Sequence, residues 1–437
     1  MGTLTTAMLS TSRTRKAMVG IIGAFFIQGF LAVTWLPRIP EIIDNLGVPF
    51  GVWGLTVAIS GLGGLLPLLF ANKLINRFGS RPLLQVSFLT ACMSVATFGF
   101  IHNPAVFFVA LFAQNFSYGV YNIVVNSHSV VFQNRIGRII LGRFHAAWSI
   151  GAASSSLLTG LFAVIVPLHL WLTIVAGICA VVGTIAIAQM LSPKEDGHEQ
   201  EQKRAASVPL FKTPKYVLVM GLCLFFGVMP EVVMMDWSAV FAKTTMHLAT
   251  DLQGMPYTLF VVAMIVGRLA VGKLSRRRHL SRIAQIGATG SAVAISAAVI
   301  IGTLTSQISP MFALAATAIF WIIAGLGNGP QVPATFSNVS TVDSMTTAQA
   351  MSRMSLMNSL IIMVGKILLG AIAQGIGVEF VYMVSVMSLA GAALIHRYLV
   401  ARAKRMPVPA GFDDQSVDAF PITSPLAVIS ETEIPKQ

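Results

Sequence analysis

Apolar runs of about twenty residues recur along nearly the whole length of this chain, and that repetition constrains its fold more than anything else. A helix rises about 1.5 Å per residue, so about twenty residues cross roughly 30 Å of hydrocarbon. Such runs fall at 17–37, 52–74, 83–100, 105–130, 144–165 and 169–191, then at 216–240, 256–274, 283–304, 311–335, 350–376 and 380–399. In lipid the backbone must satisfy its own hydrogen bonds, which leaves helices or closed barrels. A barrel would show short alternating segments, and the sequence has none. The expected fold is an all-α membrane protein of about twelve transmembrane helices. Only 10% of the residues are charged, whereas a soluble surface takes about 25%.

The charges that remain are placed unevenly. With the N-terminus inside, the inner loops hold Lys73, Arg77 and Arg81; Arg135, Arg138 and Arg143; the stretch from Lys194 to Lys215; Arg276, Arg277, Arg278 and Arg282; and Arg402, Lys404 and Arg405. The outer loops hold Arg38 and Lys243. Basic residues collect in cytoplasmic loops, so both termini are expected inside and the number of spans even. The same rule accounts for the net charge of +13 without nucleic acid, since the basic clusters form no face and carry no interleaved aromatics. The polar stretch near residue 200 divides the chain. The expected organisation is a cytoplasmic tail at 1–16, a six-helix bundle at 17–191, a linker at 192–215, a second six-helix bundle at 216–400 and a polar, disordered tail at 401–437.

Several chemistries find no support. Cys92, Cys179 and Cys223 each fall inside an apolar run, as buried free thiols do, and no Cys/His cluster offers a metal site. There is no Walker A loop and no HExxH. Ala147–Gly151 nearly spells the nucleophile elbow GxSxG but opens a membrane helix without a preceding strand. The MGTLTT start fits a short myristoylation pattern by chance, and the first run lacks the cleavage site of a signal peptide. No catalytic residue, cofactor or metal is expected, and the chain reads as a non-enzyme.

The two halves echo each other. NKLINRFGSRPL (72–83) follows the second run and GKLSRRRHLSR (272–282) follows the eighth, each a basic turn leading into the next span. Two such six-helix halves resemble the major facilitator superfamily of secondary transporters. Its turn motif G-x-L-x-D-R-x-G-R-R is matched here by Leu74, Arg77, Gly79 and Arg81, while Asn72 and Asn76 replace the glycine and the aspartate. In the family that aspartate latches the turn in one state of the transport cycle, so Asn76 implies a weaker latch. The resemblance implies gating roles for Asn76, Arg77, Gly79, Arg81 and Arg138, and for Gly272 and Arg276 in the second half. Asn126, Gly137, Arg138, His145, Ala146, Ser149 and Gly151 are also similar to a MosC-like and YbjJ-like bacterial subgroup, as are Trp35–Ile42 and the run Glu231, Asp236, Trp237, Ser238.

Polar groups inside lipid need a partner, a cavity or a helix end, so the few present are informative. Gln28, Trp35 and Arg38 share one face of the first span. Asn115, Tyr118, Asn122 and Asn126 form one stripe on the fourth. His145, Trp148 and Ser149 open the fifth, and Asn328 and Gln331 lie among glycines and prolines on the tenth. In the resembled family spans one, four, seven and ten line a central cavity. Gln28, Trp35, Arg38, the stripe, His145, Trp148, Trp237, Asn328 and Gln331 are therefore candidate substrate ligands. Amides also glue helices together, at about 0.6 kcal/mol per contact, and tryptophans anchor at interfaces.

Glu231 and Lys366 lie at similar depth in spans seven and eleven, about 23 Å along each helix at 1.5 Å per residue. A lone charge there costs about 2.5–3.5 kcal/mol, so the two are expected to approach each other. Glu231 is the candidate proton-coupling carboxylate, and a fixed ion pair is the structural alternative. Asp236 is expected nearer the outer surface, solvated or paired with Arg38. Arg268 and Arg353 are expected to snorkel near cytoplasmic helix ends.

The function this predicts is secondary transport of a small polar organic solute, such as a sugar or cyclitol, across the inner membrane by alternating access with protons. Export of a drug or metabolite by the same fold is the alternative, and a non-transporting membrane sensor is the alternative of another class. The expected partners are the solute, lipid and protons, with no nucleic acid, and the chain is expected to be a monomer.

Overall fold

A computed structural model describes residues 11–136, 140–192, 195, 213–275, 278–338 and 347–403. The first half contains α1 (Thr11–Val33), α2 (Ile39–Leu46), α3 (Phe50–Ser60), α4 (Leu62–Leu65), α5 (Ala71–Phe78), α6 (Ser80–Thr97), α7 (Pro104–Ile136), α8 (Leu141–Phe162) and α9 (Leu168–Gln189). The second contains α10 (Lys215–Thr244), α11 (Met255–Ser275), α12 (Leu280–Thr305), α13 (Pro310–Asn328), α14 (Gln331–Ser337), α15 (Thr347–Gly375) and α16 (Tyr382–Ala403). Among the described residues there is no strand.

Eleven described helical stretches are long and apolar enough to cross a bilayer. The expected fifth span, α8, is a 22-residue helix that is not among them, because Arg143, His145 and five hydroxyl residues dilute it. It packs instead through glycine. A Cβ on Gly29 of α1 would collide with the Trp148 carbonyl oxygen, and one on Gly151 of α8 with that of Phe26. The two backbones touch, and Ser155, Ser156 and Thr159 of α8 are buried.

The chain alternates between two ends. At the linker end, Arg13 of α1 forms two hydrogen bonds with Glu195, at 3.0 and 2.6 Å, and donates to the carbonyls of Gln189 and Met190. That clamp ties the start of α1 to the close of α9. His128 of α7 accepts the Leu191 N–H and hydrogen-bonds Ser80 at 2.8 Å, fixing the turn before α6. This turn needs Gly79, whose φ of +77° a side chain would strain.

At the opposite, far end the halves meet. A Cβ on Gly54 of α3 would lie 2.6 Å from the Gly370 Cα of α15. Ser156 of α8 hydrogen-bonds Thr258 of α11 at 2.8 Å, and the Phe50 ring stands edge-on to Trp237 of α10. Lys243 pairs with Asp44. Between described residues, no hydrogen bond or ion pair joins the halves at the linker end.

Candidate functional site

Four polar groups, two on each half, lie at one level along their helices. Tyr118 of α7 is fourteen residues from Pro104, and Trp148 of α8 is fourteen from Phe162. Glu231 of α10 is thirteen residues from Thr244, and Arg268 of α11 is thirteen from Met255. All four therefore lie about 20 Å from the far end at 1.5 Å per residue.

In the first half, the Tyr118 hydroxyl donates to the Gln28 carbonyl of α1 at 2.6 Å, and Trp148 lies against the same hydroxyl. Three helices thus converge on one phenol. Lower on the α7 stripe, Asn126 donates to both the carbonyl and the side chain of Asn122, at 2.7 and 2.8 Å. Asn122 is exposed and Asn126 half-buried, so these amides present their remaining capacity outward. Asn115 behaves differently. It donates to Ser60 at 3.3 Å and joins α7 to the end of α3 as helix glue. His145 stands edge-on to Phe25, and its Nε2 is buried without a partner among the described residues.

In the second half the charges pair in an unexpected way. Arg268 donates to Glu231 at 2.9 Å, and the two side chains keep 26% and 22% of their surface exposed. Lys366 of α15 instead pairs with Asp236 at 2.8 Å. The expected Glu231–Lys366 pair is therefore replaced by two pairs, both anchored on α10. Asp236 lies five residues beyond Glu231, on the side where α15 crosses, while Glu231 faces α11. Arg38 does not reach Asp236. It is 2% exposed, holds Glu41 through two hydrogen bonds of 2.6 Å, and donates to the Val166 carbonyl. Arg268 does not snorkel, because its thirteen-residue depth places it opposite Glu231. A count of twelve residues from Pro256, where the eighth apolar run begins, already gives nearly that depth. Arg353 donates to Thr213 at the linker end.

Other candidates stand away from this level. Trp35 packs edge-on to Phe98 within the first half. Trp237 is 2% exposed at the far-end contact. Asn328 and Gln331 are buried where α13 passes into α14. Pro330 interrupts the backbone ladder there, and the Gln331 side chain donates to the Gly327 and Ala284 carbonyls at 3.1 and 2.8 Å. Gly272 lies near the linker end of α11. The Arg77 guanidinium sits 5.3 Å from the Phe78 ring, and Arg81 is half-buried. Arg138, Arg276 and the Asn76 side chain lie outside the described residues.

The residue clusters thus comprise a phenol–indole–amide group on one half and an open carboxylate–guanidinium pair on the other. The sequence model described as Major Facilitator Superfamily matches residues 17–345, and the chain belongs to that superfamily. It is 25% identical over 352 residues to an uncharacterized MFS-type transporter of Yersinia pestis, covering 80% of this chain and 87% of the relative. It is 22% identical over 358 residues to the membrane protein MosC of Rhizobium meliloti, covering 81% and 83%. Among solved structures, the nucleoside transporter NupG superposes with a TM-score of 0.67 at 13% identity, over 89% of this chain and 99% of that one. A bacterial homologue of the lysosomal transporter Spinster, inward-facing and unoccupied, gives 0.64 at 14%, over 92% and 100%. These likenesses show the fold.

Proposed function

We propose that this major facilitator protein carries a small polar organic solute, of the sugar or cyclitol class, across the inner membrane by alternating access coupled to protons. The observation that carries this reading is the shared level of Tyr118, Trp148, Glu231 and Arg268 on two halves that meet at the far end. A solute held there would contact both halves, and rocking them about it would expose it to either side. The basic loops favour a cytoplasmic linker end and cytoplasmic termini.

Hydrogen-bonding groups outnumber fixed charges on the first half, which suits a hydroxylated solute. Glu231 is the coupling carboxylate in this reading. Its single hydrogen bond to Arg268 leaves the other oxygen without a partner among the described residues, open to a proton or to the solute. The chain works as a monomer, with lipid and solute as its partners and no cofactor. A thermal-shift screen against sugars, cyclitols, amino acids and drugs identifies the solute. Solute-driven proton flux in proteoliposomes is then compared between the wild type and Glu231→Gln. Undiminished coupled flux in the variant would remove Glu231 from the mechanism.

A further inference from the structure

The second ion pair has a different character from the first. Asp236 keeps 7% of its side-chain surface and Lys366 18%, whereas Glu231 and Arg268 each keep more than a fifth. Trp237, Val233 and Val240 bury the helix around Asp236. The charged groups on the surrounding elements are committed elsewhere. Glu231 on the same helix holds Arg268, and Tyr257 of α11 lies within electrostatic reach of both carboxylates. Arg38 holds Glu41, Lys243 holds Asp44, and Glu379 folds against Gly377. Among the described residues, Lys366 is the one ionic partner of Asp236.

A carboxylate this enclosed needs a compensating positive charge. A carrier can recruit that charge from solution, as a proton or a small monovalent cation, or it can supply a fixed one. We propose that Lys366 is a built-in substitute for a coupling cation at Asp236. Its ammonium fills the place a solution cation would take, and its tether keeps it there. Glu231 is then the carboxylate left to exchange with solution, a point that rests on the transport reading above. Lys366 also sits where α15 presses on α3, its carbonyl oxygen 3.0 Å from a Cβ built on Gly54. The tethered cation therefore moves with the far-end contact and stays inside the protein.

The inference specifies what removing Lys366 does. Lys366→Met leaves Asp236 dependent on solution for its charge, so the variant acquires a cation requirement the wild type lacks. The full-length protein in detergent is unfolded thermally from pH 8 to pH 6, in sodium chloride and in choline chloride at equal ionic strength. Wild type, Lys366→Met, Lys366→Arg and the double variant Asp236→Asn/Lys366→Met are compared. Lys366→Met is expected to gain several degrees on acidification, if a proton replaces the ammonium, or in sodium over choline, if sodium does. The other three should share one common profile.

A folded Lys366→Met that matches the double variant in both series overturns the proposal. So does a wild-type cation response that is missing from the double variant, an outcome that remains readable if Lys366→Met does not fold. No solute enters these measurements. A failed solute screen would therefore sink the transport reading and the role given to Glu231 but leave the Asp236–Lys366 result standing, and a negative result here would leave the transport reading standing.

Discussion

Glu231 of α10 meets Arg268 of α11 at 2.9 Å, which leaves Lys366 of α15 to Asp236. One helix thus carries two acids and sends them to two different neighbours. Five residues of helix turn the second acid well away from the first, so a single basic partner cannot serve both.

Breaking the open pair should cost less than breaking a sealed one. Removing one partner of a fully buried pair costs about 3–5 kcal/mol, and partial exposure lowers this to about 1–3 kcal/mol for Arg268→Met. Glu231→Gln/Arg268→Met should recover most of the loss, because no uncompensated charge remains. Thermal unfolding of the purified variants checks both. A double variant no more stable than the single would show that the arginine acts through packing.

The far-end contact is built on absent side chains. Gly54→Val would place methyl groups where the Gly370 backbone lies, at 2.6 Å from the first added carbon. Overpacking of that kind forces the helices apart. Spin labels at the exposed positions Pro49 and Ala249, one on each half, should report a longer distance in the variant than in the wild type. An unchanged distance distribution would mean that the seam does not hold the halves.

Tyr118 offers a test that separates glue from recognition. Its hydrogen bond to the Gln28 carbonyl should contribute about 0.6 kcal/mol to stability, so Tyr118→Phe should unfold nearly as the wild type does. Solute affinity, measured on the compound found by the screen, should fall about tenfold, or ~1.4 kcal/mol. Equal affinity would assign the hydroxyl to helix packing.

Acid should spare the linker-end clamp until low pH. The Arg13 guanidinium, with the Ser192 N–H and hydroxyl, holds the Glu195 carboxyl down at about 2 against an ordinary 4.5. The unfolded chain binds the proton first, so the clamp stabilises fully above about 4.5 and loses its effect as pH falls toward 2. The difference in melting temperature between wild type and Glu195→Gln should stay constant from pH 7 to pH 5 and shrink only below. Shrinkage between pH 7 and pH 5 would contradict this assignment.

The spans were legible because bilayer thickness is a one-dimensional constraint, and an apolar run either is long enough or is not. The similar depth of Glu231 and Lys366 was legible for the same reason, whereas the depth of Arg268 was misread. The fifth span shows where the signal thins. Five hydroxyl residues, Arg143 and His145 dilute α8, yet close approach to α1 at Gly29 and Gly151 gives it a protected place. The α7 stripe was also legible from its helical spacing. Its division into glue at Asn115 and outward-facing amides at Asn122 and Asn126 was not, because that depends on which neighbour covers each residue.

By itself the sequence determined an all-helical membrane protein, the order of its apolar runs, its resemblance to the major facilitator superfamily and the similar depth of Glu231 and Lys366. Only the tertiary structure decided which charges meet. Depth runs along a helix axis, whereas pairing depends on rotation about that axis and on which helix stands alongside. By sequence Lys366 was deep enough for Glu231, while Arg268, expected near a helix end, proved to stand opposite Glu231. The packing of α10 between α11 and α15 gave Glu231 the arginine and Asp236 the lysine.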